Sequence, residues 1–202
     1  MDALPPNAAL LVIDVQYGHD DPRFGKRNNP NAEDRIAELL SAWRATGRPI
    51  IHIQHLSENP GSVFHESNHG SVIKDVVQPL DRELLVQKHT NSAFIGTDLE
   101  QYLHSRGIET VVLTGLTTPH CVSSTARMAG NLGFDTYVVS DATAANEGNV
   151  DFQFPGGSKL EATPEVIHAI SLATINGEFV QVVDTSAVLG ALKLLDVPDR
   201  VT

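Results

Sequence analysis

Short apolar runs alternate with amphipathic stretches along this chain, and the alternation predicts strands and helices in turn. The run Ala8-Ala9-Leu10-Leu11-Val12-Ile13 is continuously apolar and stops at Asp14, the pattern of a central parallel strand covered on both faces. Residues 17–31, rich in Gly, Pro, Asn and charge, read as a loop over the end of that strand. A helix is expected over residues 32–46, with Ile36, Leu39, Leu40 and Trp43 on one apolar face and Gly47 as its stop; Trp43 belongs to the core. The second strand is Pro49-Ile50-Ile51-His52-Ile53-Gln54. A long polar segment over residues 57–74 follows, and a loop of that length usually has a functional reason.

The second half repeats the rhythm. A shorter strand is predicted over residues 83–87, directly before Lys88, and a helix over 97–106, ended by Gly107. The β-branched run Thr110-Val111-Val112-Leu113-Thr114, closed by Gly115, reads as a buried strand. A helix should open next, with Thr118 as its cap, Pro119 at its first position, and Ala126, Met128 and Leu132 carrying its apolar face. Thr136-Tyr137-Val138-Val139 is a further strand, again ending in an acid at Asp141. Helices over 163–174 and 185–194 flank a last strand over 179–183. Strands alternating with helices imply right-handed crossovers and a parallel sheet with helices on both faces. Ligands of such sheets bind at the carboxyl ends of the strands.

Composition narrows the class. With 202 residues and 41% hydrophobic content, the chain can bury one full core, so a single domain over residues 1–202 is expected. Neither a signal peptide nor a membrane span is legible, and one cysteine cannot form an internal disulfide; a cytoplasmic location follows as the expectation. The net charge of −11, with fourteen Lys and Arg scattered among twenty-five acids, argues against nucleic acid as a partner.

Three reactive side chains fall on one edge of this sheet. Asp14 ends the first strand, Lys88 follows the short middle strand, and Cys121, the single cysteine, lies in the first turn after the next. A helix N-terminus favours a thiolate and lowers a cysteine pKa from its free value of about 8.5. A carboxylate at that rim can take the thiol proton and return it to a leaving amine, and an ammonium nearby favours both anions. Each residue alone has an ordinary structural explanation: a small buried hydrophobe, a strand-end cap, a solvated lysine. Together they read as nucleophile, base and electrostatic partner.

The segments Leu11-Val12-Ile13-Asp14-Val15-Gln16, Lys88-His89-Thr90-Asn91-Ser92-Ala93-Phe94 and Gly115-Leu116-Thr117-Thr118-Pro119-His120-Cys121-Val122 resemble the isochorismatase-like cysteine hydrolases over nearly the whole chain. Gly177-Glu178-Phe179 and the order of elements agree with that resemblance. It implies a three-layer α-β-α sandwich with a mainly parallel, Rossmann-like sheet, and attack by Cys121 on the carbonyl carbon of an amide or ureido group. An acyl-enzyme would form and water would release it. The resemblance also implies a non-proline cis peptide at Leu116-Thr117, with the backbone N–H groups of Thr117 and Cys121 as an oxyanion hole, in which a donor is typically worth roughly 3 kcal/mol of barrier. A homo-oligomer, dimer or tetramer, is the assembly it implies.

Other residues invite roles around a small-molecule substrate. Phe24, Phe94 and Phe152 or Phe154 can form apolar walls, Phe94 serving equally well in the core. Gln16 can bind near the site or tie down its loop, and His55 can line the pocket. His120 adjoins Cys121, but adjacent helical residues diverge, so it is not the expected base. Ser123 and Ser124 lack a matching base. The histidines His52, His55, His65 and His69 suggest a metal, yet the Asp-x-His pattern that the nicotinamidases of this superfamily carry after the second strand reads here Ile53-Gln54-His55-Leu56-Ser57, without the acid. No metal and no other cofactor are expected. Three functions stay open: a cysteine amidohydrolase, an isochorismatase-type vinyl ether hydrolase acting through Asp14, and a non-catalytic flavodoxin-like binding module. The lack of a Gly-rich loop after the first strand weighs against the last.

Overall fold

The computed structural model describes residues 1–193. Six strands form one sheet: β1 (Ala9–Ile13), β2 (Ile50–His55), β3 (Leu84–Lys88), β4 (Thr110–Leu116), β5 (Asp135–Ala144) and β6 (Gln181–Val183), in the order β3-β2-β1-β4-β5-β6. Every pairing is parallel. The five α-helices of the described residues are α1 (Ala32–Thr46), α2 (Leu99–Ser105), α3 (Ser123–Asn131), α4 (Pro164–Ala173) and α5 (Thr185–Lys193). Residue 194, where the sequence pattern ends the last helix, lies outside the described residues.

The period-two geometry of β1 shows how the three layers are held. Ala9, Leu11 and Ile13 pack into the core that holds Leu99 and Leu103 of α2 and Ala126 and Ala129 of α3. Leu10 and Val12 turn to the other side, against Ile36, Leu39, Leu40 and Trp43 of α1 and Val188 and Ala191 of α5. Trp43 is fully buried, and its indole N–H donates to the Ala8 carbonyl at 3.0 Å. Gly47 closes α1 with φ +68°, as a left-handed stop.

The chain winds outward from β1 in one direction through β2 and β3, and in the other through β4, β5 and β6. The order therefore reverses between β1 and β4, where an open parallel sheet leaves a crevice for a ligand. Gly115 makes that junction possible. It pairs with Ile13, its φ is +118°, and a Cβ there would collide with the Ile13 carbonyl.

Asp141 departs from the expected strand-end pattern. The fifth strand continues past it to Ala144, with a register shift against β4 between Leu113 and Gly115. Its Oδ1 accepts from the backbone N–H and hydroxyl of Thr185 at 2.8 and 2.9 Å, so this acid holds the start of α5.

Two loops cover the crevice and are stapled by charge. Lys74 Nζ donates to Asp20 Oδ1 at 2.6 Å and to Glu33 Oε1 at 2.8 Å, and Arg27 grips both Glu33 oxygens at 2.7 and 2.6 Å. The first loop, the second loop and the start of α1 are joined in one partly buried network.

Candidate active site

Lys88 is the last residue of β3, in register with His55 of β2, and it is 1% exposed. An ammonium has three donors. Here they reach Asp14 Oδ2 at 2.6 Å, the Thr90 carbonyl at 3.0 Å and Cys121 Sγ at 3.4 Å. Asp14, also 1% exposed, leaves β1 with φ +52°, a left-handed conformation that Asp tolerates better than most residues. Its Oδ1 is buried and has no hydrogen-bond partner among the described residues, so it is free to accept a proton. The three side chains that the sequence places on one edge meet in one site.

Protonation in that site departs from expectation. Burial raises the Cys121 thiol well above its usual range, and the carboxylate of Asp14 raises it further, while Lys88 pulls the other way. Burial also raises Asp14, against the lowering effect of Lys88. The expected stabilisation of the thiolate by a helix start is outweighed because the thiol is largely desolvated. The start itself also differs. Residues Thr118–Val122 form a π-helical turn and α3 begins only at Ser123. Thr118 is no cap; its hydroxyl meets His168 Nδ1 of α4 at 2.8 Å. Burial thus disfavours the charged forms of both Cys121 and Asp14, and the Lys88 side chain bridges the two.

The Leu116-Thr117 peptide is cis. Thr117, 4% exposed, and Cys121 both line a cavity of about 340 Å3 whose walls include Phe24, His55, His19 and Phe64. Phe24 and His55 thus stand where the sequence suggested. Gln16 does not line this cavity: it is fully buried, its Nε2 donates to the carbonyls of His55 and Ser71 at 2.9 and 2.7 Å, and its Oε1 accepts from the His55 N–H at 2.9 Å. Its amide fastens the loop backbone instead of a ligand. Phe154 is also outside, 45% exposed in a surface hairpin and packed edge-on against Phe152 at 5.0 Å. Phe94 is core, stacked on Phe134.

Among the described residues no group of three or more His, Cys, Asp or Glu side chains converges as a metal site. His52 is instead tied at 2.8 Å to Glu83, which Arg44 also holds. Sequence reasoning missed His19 and Phe64, which lie in polar loops with no periodicity to announce them, and His168, fifty positions from its partner Thr118.

A thiol, a carboxylate and an ammonium at the switch point of a doubly wound parallel sheet define a hydrolytic enzyme of α/β architecture. The chain belongs to the isochorismatase family: the isochorismatase domain model matches residues 8–186. The isochorismatase family protein YrdC of Bacillus subtilis is 48% identical over 181 residues, which cover 90% of this chain and 94% of that protein. The maleamate amidohydrolase of Pseudomonas putida is 30% identical, over 72% of this chain and 80% of its own. Among solved structures, a protein from Chromobacterium violaceum described as an isochorismatase-family hydrolase superposes with a TM-score of 0.88 at 39% identity, covering 96% of this chain and 97% of that one. The chain is an isochorismatase-family hydrolase, and no helix among its described residues is long and apolar enough to cross a membrane.

Proposed function

We propose that the protein is a cysteine amidohydrolase that cleaves a C–N bond of a small amide, carbamoyl or ureido compound. The observation that carries this reading is Lys88 Nζ bridging Asp14 Oδ2 at 2.6 Å and Cys121 Sγ at 3.4 Å at the edge of the cavity. Cys121 attacks the carbonyl carbon as its proton passes to Asp14, so a free thiolate need not accumulate. The backbone N–H groups of Thr117 and Cys121 receive the negative charge on oxygen. Asp14 then protonates the departing nitrogen, leaving a thioester on Cys121. Water, deprotonated by Asp14, attacks that thioester and restores the thiol as the acid product leaves. Throughout, the Lys88 ammonium holds Asp14 in place and offsets its charge. The maleamate amidohydrolase among the relatives is consistent with this chemistry.

Burial of Asp14, which raises its carboxyl, favours a second reading in which it protonates a vinyl ether directly and Cys121 is dispensable. Mass spectrometry of the intact protein during turnover of small amides and ureides separates the two. An acyl increment on the Cys121 peptide, lost with activity in Cys121→Ala, is expected. Turnover that survives in Cys121→Ala would overturn covalent catalysis.

A further inference from the structure

The cavity beside Cys121 is walled by rings. Phe64 lies 4.8 Å from His19, 6.0 Å from His55 and 6.3 Å from Phe24, centroid to centroid, and together they form an aromatic wall beside the thiol. No Lys, Arg, Asp or Glu is among the described residues that line it. Lys88, which reaches Cys121 Sγ, already directs its three donors to Asp14, Thr90 and Cys121, which leaves none for a ligand carboxylate. Arg27 is committed to Glu33 at 2.6 Å, and Arg23, half-exposed and bonded through Nε to Asp21 at 2.9 Å, is not among the residues that line the cavity. Beside Phe24, the Glu147 carboxylate accepts from the Lys26 N–H at 3.1 Å and adds negative charge near the wall.

Burial disfavours positive charge on this wall. Burial lowers the imidazoles of His19, His55 and His120, with Lys74 and Arg27 adding to the effect on His19, to about 3, and Lys88 to that on His55. His19 Nε2 and His55 Nδ1 are buried with no hydrogen-bond partner among the described residues. Both nitrogens belong to rings at the cavity wall, so each offers an unsatisfied polar atom to a ligand. A buried polar atom without a partner is costly, so each nitrogen favours a ligand that brings a hydrogen-bonding group.

From this arrangement we infer that the site takes an uncharged, planar, ring-bearing amide or ureide and discriminates against substrates that carry a carboxylate. The inference rests on the amidohydrolase reading for its chemistry but on the cavity walls for its selectivity. A carboxylate entering the cavity would be desolvated with no cation among the lining residues to receive it. The chain's net charge of −11 opposes its approach as well.

Isophthalamide and 3-carbamoylbenzoate test this, since they match in size and differ by one charge. For the full chain, kcat/KM for isophthalamide should exceed that for 3-carbamoylbenzoate by roughly 100-fold or more. Calorimetric titration of Cys121→Ala, which binds without turning over, should show the same preference. Equal or better use of the carboxylate would overturn the inference, as would a variant that binds neither compound. If Cys121→Ala binds isophthalamide selectively while the parent protein hydrolyses neither, selectivity stands and the amide chemistry fails, so the two claims fall separately.

Discussion

The hydroxyl of Thr118 and Nδ1 of His168 lie 2.8 Å apart in a buried contact that ties α4 to the turn carrying Cys121. The other ring nitrogen of His168 lies 3.5 Å from the Asn29 amide, which also donates to the Ser140 carbonyl at 2.9 Å, so the imidazole is held on both sides. The contact sits one residue from the proposed oxyanion donor Thr117. His168→Leu leaves the Thr118 hydroxyl unpaired and should cost about 1–3 kcal/mol of stability. It should also lower kcat with little change in KM, because it loosens the turn rather than the cavity. His168→Asn, whose amide can offer either an oxygen or an N–H near the position of Nδ1, should recover most of both. Steady-state kinetics and melting curves read this; unchanged kcat in His168→Leu would remove His168 as a positioning residue.

Lys88→Met strips the buried Asp14 of its counter-charge. Breaking a buried pair by removing one partner typically costs about 3–5 kcal/mol. Asp14 should then stay protonated to higher pH and be lost as a base. The rate of Cys121 alkylation by iodoacetamide, followed against pH, should shift its midpoint upward by about one unit or more, which is a tenfold loss at a fixed neutral pH. A midpoint equal to that of the parent protein contradicts the role given to Lys88.

Glu33 makes acid sensitivity predictable. Burial by itself raises its carboxyl, but the hydrogen bonds and charges of Arg27 and Lys74 outweigh burial and hold it at about 2. A carboxyl depressed in the folded state adds stability that is fully present above its unfolded pKa of about 4.5 and lost as the pH falls through about 2. After allowance for solvent screening this amounts to about 2 kcal/mol. Glu33→Gln should therefore melt below the parent protein at pH 6, and the gap should narrow steadily from pH 5 to pH 3. A gap independent of pH would show that the network over α1 acts by packing alone.

Much of the site was legible in the sequence because its members stand at the ends of strands. A continuous apolar run that stops at Asp14, and a β-branched run that stops at Gly115, locate the carboxyl edge of a parallel sheet without reference to distant contacts. Gln16 and Phe154 illustrate what such patterns do not carry. An amide two residues past Asp14 can face a ligand or a backbone, and here the carbonyls of His55 and Ser71 take it. A phenylalanine in a polar loop can line a cavity or lie on the surface; Phe24 and Phe64 do the first, Phe154 the second.

The sequence by itself determined the alternation of strands and helices, the parallel sheet and the residues at its chemical edge, since periodicity and chain-end punctuation are local properties. Only the tertiary structure decided that burial raises both Cys121 and Asp14, that it lowers the imidazoles around them, and which rings face the thiol. Desolvation and hydrogen bonding sum over residues far apart in the chain: Thr118 with His168, Lys88 with Asp14, Gln16 with Ser71. No local window of sequence contains both members of such pairs, so the chemistry they set emerges only when the chain is folded.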